Sequence, residues 1–127
     1  MKIVVLGASG MAGHVVSSYL EEKGHKVSRL SARNKIVPAT TLLDVTDRTS
    51  LISYLKSEVP DVIVNCIGML VQKSETDKDI AVYLNAYLPH LLQSHYRGSS
   101  TKVIHLSTDC VFSGKLSPYY ESTYPDG

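Results

Sequence analysis

The sequence is poor in cysteine, in net charge and in long apolar runs. Its two cysteines, Cys66 and Cys110, each follow an apolar run without metal-ligand spacing to histidine, which favours small buried side chains and leaves a reactive thiol as the alternative. No apolar run reaches roughly 18 residues, so no transmembrane helix is expected. The net charge of +1 offers no basic surface for nucleic acid or an anionic membrane.

The N-terminus also lacks the features of a targeting segment. The apolar run after Met1 is too short for a signal peptide and has no small-residue cleavage site, so it is better explained as a first strand. We therefore expect a cytoplasmic protein with reduced thiols. With 127 residues, of which 43% are hydrophobic, the chain is sized for one domain with a single core.

Short β-rich runs alternate with helical periodicity, which predicts βαβ units and a parallel sheet. Right-handed crossovers then give a Rossmann-type, doubly wound α/β sheet of order 3-2-1-4-5. The five expected strands are Lys2–Leu6, Lys26–Leu30, Thr41–Leu43, Val62–Val64 and Lys102–Leu106.

Helices are expected between these strands. The first spans residues 11–23, with Val15, Val16, Tyr19 and Leu20 at the spacing of an apolar face. A longer helix begins at residue 76 or 77 and continues past Pro89 before the last strand.

A glycine loop, Gly7-Ala8-Ser9-Gly10-Met11-Ala12-Gly13, joins the first strand to the first helix. Gly7 permits the tight turn, Gly10 lets the backbone approach a pyrophosphate, and Gly13 lets the helix pack closely on the sheet. The following helix N-terminus offers free N–H groups to the phosphates. The loop therefore predicts dinucleotide binding, with Ser9 and Met11 among the binding residues.

The end of the second strand indicates which dinucleotide is bound. A carboxylate there would bind the ribose 2′-hydroxyl of NAD, but the segment from Arg29 to Lys35 contains no acid. Arg33, helped by Ser31, can instead pair with a 2′-phosphate. We expect NADP(H) as the preferred cofactor, with NAD(H) as the second option; a solvated basic loop is the structural alternative.

Further candidate residues follow the other strands. Asp44 and Val45, after the third strand, are expected beside the adenine ring. Asn65, Cys66 and Ile67, after the fourth, are expected beside the ribose and nicotinamide.

The fifth apolar run ends abruptly in polar residues, Ser107, Thr108 and Asp109. In an open α/β sheet, ligands bind at the carboxyl ends of strands. A strand that leads into two hydroxyls and a carboxylate therefore delivers polar groups to a site.

Together these segments resemble the extended short-chain dehydrogenase/reductase superfamily, and within it the dTDP-4-dehydrorhamnose reductase family. The glycine loop is common to the superfamily, whereas the segments around Thr108 and Glu121 are specific to the narrower family. The matching positions are Gly7, Gly10, Gly13, Asp44-Val45, Asn65, Asn85-Ala86-x-x-Pro89, Ser107-Thr108-Asp109-x-Val111-Phe112-x-Gly114 and Pro118-Tyr119-x-Glu121.

The resemblance implies reduction of a 4-keto group on a nucleotide-linked deoxysugar, as in dTDP-rhamnose biosynthesis. Thr108 matches the hydroxyl that hydrogen-bonds the ketone oxygen, and Asp109 matches a neighbouring acid that orients the site. A carbonyl oxygen that gains charge needs such a donor and an acid beside it. Nucleotide-sugar is the implied substrate; no metal is expected.

The sequence departs from the family pattern in two places. Cys110 stands where the family often has tyrosine, and the catalytic Tyr-x-x-x-Lys pair is missing near Tyr124. The one pair with this spacing, Tyr19 and Lys23, lies on the first helix, far from the fifth strand. We therefore expect residues 1–127 to be an incomplete NAD(P)-binding Rossmann domain, truncated before the last strands and the substrate domain and inactive alone.

Such a chain would expose its last strand, which favours self-association into a homo-oligomer. The alternative function is a non-catalytic NAD(P)-binding regulatory or scaffold protein of the same superfamily, because fold alone does not determine activity.

Overall fold

A computed structural model describes all 127 residues, Met1–Gly127. It contains a five-stranded parallel sheet of order β3-β2-β1-β4-β5, which confirms the predicted order and fold class. The elements are β1 (Lys2–Leu6), α1 (Met11–Glu22), β2 (Lys26–Ser31), β3 (Thr41–Leu42), α2 (Arg48–Glu58), β4 (Val62–Asn65), α3 (Val71–Thr76), α4 (Lys78–Val82), a π-helical turn (Tyr83–Tyr87), α5 (Leu88–His95), β5 (Lys102–His105) and a 3₁₀ turn (Asp109–Val111).

The central strand β1 is buried on both faces, as expected of an apolar strand in a covered parallel sheet. One face packs under α2 and α5, and the other packs under α1. The first core contains Val4, Leu6, Leu30, Val45, Leu51, Leu55, Ile63, Leu88 and Leu92; the second contains Ile3, Val5, Ala8, Val62 and Val64.

The predicted apolar face of α1 is confirmed in part: Val16 and Leu20 are half-buried and pack against the second core. Val15 and Tyr19 are 57% and 56% exposed, whereas the buried residues of α1 are Gly13 and Ser17. The steric limit lies at Gly13, where a Cβ would overlap the Gly7 carbonyl, so small residues occupy the most buried positions of α1. Hydrophobic periodicity correctly selects Val16 and Leu20 but also includes Val15 and Tyr19, which are exposed.

The long helix before β5 is interrupted rather than continuous. It begins at Lys78 after Asp77, and a π-helical turn over Tyr83–Tyr87 joins α4 to α5. Pro89 has no N–H and cannot donate to the carbonyl of Asn85. The pattern of backbone hydrogen bonds along the helix must therefore change at this point. The short helix α3 was not expected from the sequence.

β5 forms one edge of the sheet, paired only with β4. On one of its faces Val103 packs against the core under α5. On the other face Ile104 and Leu106 are 48% and 42% exposed. None of the helices combines the length and apolar character needed to cross a membrane.

We predict that this polypeptide self-associates through β5, since an exposed edge with apolar side chains is a template for pairing. Sedimentation velocity should show a mass that increases with concentration. Ile104→Lys should reduce the association because charge on an edge strand opposes pairing. Val82→Lys, an equal charge change at an exposed position on α4, should not. A monomer at every concentration would contradict the prediction.

Candidate functional site

A groove of about 590 Å³ opens at the carboxyl ends of β1, β2 and β4. Because neighbouring parallel strands end at the same edge, this is where an open α/β sheet binds ligands. Nine of the predicted cofactor residues line it: Gly7, Ser9, Gly10, Ser31, Arg33, Asp44, Val45, Cys66 and Ile67.

The glycine loop has the geometry that its spacing predicts. Gly7 adopts φ +76°, in the left-handed region that favours glycine. A Cβ on Gly13 would overlap the carbonyl of Gly7, so only glycine allows α1 to approach β1 this closely. Gly10 precedes α1, and a Cβ there would lie 3.2 Å from Gly7 O.

The N-terminus of α1 is a ready anion site. The first backbone amide of α1 that donates to a carbonyl of the helix is that of His14, which bonds Gly10 O at 3.1 Å. The amides of Met11, Ala12 and Gly13 precede it and have no helical acceptor. No acidic residue occupies the first turn of α1, so the positive end of the helix is not neutralised. The side chain of Met11 is exposed and lies outside the groove lining, so only its backbone amide is available to an anion at this helix end.

The loop after β2 places a positively charged side chain on the groove. Arg33 is exposed on the groove and forms neither an ion pair nor a hydrogen bond with the protein. Ser31, in contrast, is buried, and its Oγ lies 2.7 Å from Ser9 Oγ. The hydroxyl that was expected to contact a phosphate is therefore already engaged within the protein.

The Asp44–Val45 segment is fixed from two sides. Asp44 Oδ1 accepts hydrogen bonds from the backbone N–H of Thr46 at 2.9 Å and from its hydroxyl at 2.8 Å. The Tyr83 hydroxyl, on the π-helical turn, donates to Val45 O at 2.9 Å. The second carboxylate oxygen of Asp44 stays available to a ligand.

The exit of β4 is held by a fully buried asparagine that does not line the groove. Asn65 Nδ2 donates to His105 Nδ1 at 3.1 Å, and its Oδ1 accepts from the Ile67 amide at 3.1 Å. Asn65 therefore connects β4 to β5 and shapes the loop that follows. Beside it, burial raises the pKa of the Cys66 thiol, which keeps this wall of the groove uncharged at neutral pH.

Asn85, which the sequence marks only as a point of family resemblance, positions the same loop. Its Oδ1 accepts from the Met69 amide at 2.7 Å and its Nδ2 donates to Met69 O at 2.9 Å. Met69 lines the groove, as does Leu84 beside Asn85. The sequence signal that could have indicated this role is a polar residue, Asn85, shortly before Pro89 in a predicted helix.

Thr108 and Asp109 lie outside the groove lining, at the exposed end of β5. Thr108 Oγ1 accepts from the Cys110 amide at 3.1 Å, which leaves its hydroxyl hydrogen free to donate. Asp126 braces the following turn: its carboxylate accepts from Ser113 N at 2.8 Å and Ser113 Oγ at 2.7 Å, and these bonds lower its pKa.

Comparison with known proteins agrees with this architecture. Residues 1–126 match a family model described as RmlD substrate binding domain. A dTDP-4-dehydrorhamnose reductase from Streptomyces griseus is 30% identical over 98% of this chain and 38% of its own length.

No group of three or more His, Cys, Asp or Glu side chains is arranged to hold a metal ion.

Solved structures with a similar fold include dTDP-4-dehydrorhamnose reductases. A hypothetical dTDP-4-dehydrorhamnose reductase from Sulfolobus tokodaii superposes with a TM-score of 0.84 at 31% identity, over 99% of this chain and 46% of that chain. The fold is shared with a dTDP-4-dehydrorhamnose reductase from Bacillus anthracis in complex with NADP, with a TM-score of 0.78 at 21% identity, over 98% and 43%. The chain thus spans less than half the length of these relatives.

We predict that Asn85→Leu releases the loop at Met69. Two hydrogen bonds, each worth about 1 kcal/mol net, are lost, so hydrogen exchange at the Met69 amide should accelerate at least about ten-fold. Gln93→Leu, which removes an exposed amide on α5, is the matched control. Unchanged exchange at Met69 would show that the clamp does not hold the loop.

Proposed function

The chain belongs to the RmlD substrate binding domain family, and we propose that it forms the NADP(H)-binding part of a reductase acting on a nucleotide-linked 4-keto-deoxysugar. Because the chain spans only 38% and 46% of two such relatives, we propose residues 1–127 as the NAD(P)-binding domain and assign the substrate domain to the rest of a longer, cytoplasmic protein.

The observation that carries this proposal is the pairing of two anion-binding features in one groove. The amide-rich N-terminus of α1 suits a pyrophosphate. The unpaired guanidinium of Arg33, on the next loop along the sheet edge, suits a 2′-phosphate. No carboxylate stands at the end of β2 to bind a free 2′-hydroxyl, which favours NADP(H) over NAD(H).

The cofactor, when bound, would supply a hydride to the ketone carbon, and this chain would stabilise the charge that develops on the oxygen. The free hydroxyl hydrogen of Thr108 can donate to that oxygen, and Asp109 lies beside it to orient the site. The reaction also needs a proton donor. Tyr19, on α1, and Lys23, directly after it, are unsuited because neither lines the groove; the Lys23 ammonium instead lies 5.2 Å from the centre of the Tyr19 ring.

The second candidate is a non-catalytic NAD(P)-binding protein of the same superfamily. The observation that favours it is the position of Thr108 and Asp109 outside the groove. A protein of this kind would bind the dinucleotide with the same residues but would not depend on the Thr108 hydroxyl for any turnover.

We predict that Arg33→Ala weakens NADPH binding about ten-fold, because a hydrogen bond to a charged group is worth roughly 1.5–3 kcal/mol, and changes NADH binding little. Titration of cofactor fluorescence measures both affinities. Arg97→Ala, on an exposed arginine distant from the groove, is the control. Equal losses for both cofactors, or no loss, would rule out the 2′-phosphate role.

We further predict that Thr108→Ala in the full-length reductase lowers kcat by roughly 10²-fold or more, the usual effect of removing one oxyanion donor. Thr108→Ser keeps the hydroxyl and should retain most of the activity. Unchanged turnover in Thr108→Ala would remove this residue from the mechanism and favour the second candidate.

A further inference from the structure

The glycine loop and the loop after β2 are joined through serine hydroxyls. Ser9 Oγ lies 2.7 Å from Ser31 Oγ, and the Asn34 amide donates to Ser31 Oγ at 3.4 Å. Ser31 is only 3% exposed, whereas Ser9 is exposed on the groove. These three residues form a chain of hydrogen bonds that leads from the β2 loop into the groove.

Burial determines which serine donates. A buried hydroxyl hydrogen without an acceptor is costly, whereas an exposed one can be solvated or can meet a ligand. Ser31 therefore donates to Ser9 while it accepts from Asn34. The hydroxyl hydrogen of Ser9 is left free at the groove, and hydrogen bonds in series strengthen one another.

The location of this free donor indicates its target. The end of β2 is where dinucleotide-binding folds recognise the 2′ position of the adenosine ribose. Ser31 is the last residue of β2, Ser9 contacts it, and Arg33 follows two positions later on the same groove. A 2′-phosphate at this point would meet one charged and one neutral donor.

We propose that Ser9 is a specificity-determining donor to the 2′-phosphate of NADP(H), and that Ser31 is a positioning residue that acts through Ser9. The inference rests on the proposed cofactor function. It also changes the role of Ser31, which the sequence suggested as a direct phosphate contact.

The test compares Ser9→Ala, Ser31→Ala and the double variant, with Ser18→Ala on the exposed side of α1 as the matched control. Affinities are measured for NADPH, NADH, adenosine 2′-monophosphate and adenosine 5′-monophosphate. Thermal melts check the fold. The loop should stay attached to β2 in every variant, because the Ala8 amide donates to Leu30 O at 2.8 Å without either serine.

Each single variant should weaken binding of NADPH and adenosine 2′-monophosphate about ten-fold. Binding of NADH and adenosine 5′-monophosphate, which carry no 2′-phosphate, should stay nearly unchanged. The double variant should lose no more than either single variant, because Ser31 acts through Ser9. Equal losses for NADPH and NADH, additive losses in the double variant, or no loss would each overturn the inference.

The same experiment distinguishes failure of the proposed role of the serines from failure of the proposed NADP(H)-binding function. If the unaltered chain binds neither dinucleotide, the proposed function fails. If the unaltered chain binds NADPH and the serine variants bind it equally well, only the role of the serines fails.

Discussion

The close approach of α1 to the end of β1 is the constraint on which the site depends. An alanine at Gly13 would gain about 1 kcal/mol of helix propensity, but its Cβ would overlap the Gly7 carbonyl. Overpacking against backbone typically costs about 1–3 kcal/mol, so the steric cost outweighs the gain. This contact brings the free amides of α1 to the groove.

The remaining walls of the groove are positioned by polar contacts between segments that are distant in sequence. The π-helical turn carries Tyr83, which holds Val45, and Asn85, which holds Met69. Asn65 connects the end of β4 to His105 on β5. The irregular turn before Pro89 thus stabilises two loops at once, which an uninterrupted helix would not present in the same way.

Much of this arrangement could be predicted from the sequence. Alternating strands and helices with right-handed crossovers determine the sheet order, and the spacing of Gly7, Gly10 and Gly13 predicts their geometry. On α1 the packing of Val16 and Leu20 could be predicted, but the burial of Gly13 and Ser17 could not, because periodicity does not show where small residues approach a sheet most closely. The role of the Ser31 hydroxyl was hidden for a different reason: its partner Ser9 is 22 residues away.

The most direct test of dinucleotide binding in this groove is a titration of the isotope-labelled chain with NADPH, followed by the chemical shifts of its backbone amides. Binding in the groove should produce saturable shifts in three segments: Gly10–Gly13 at the start of α1, Arg33 and Asn34 after β2, and Cys66–Met69 after β4. Absence of saturable shifts in these segments, or shifts confined to the surface of α2, would contradict it.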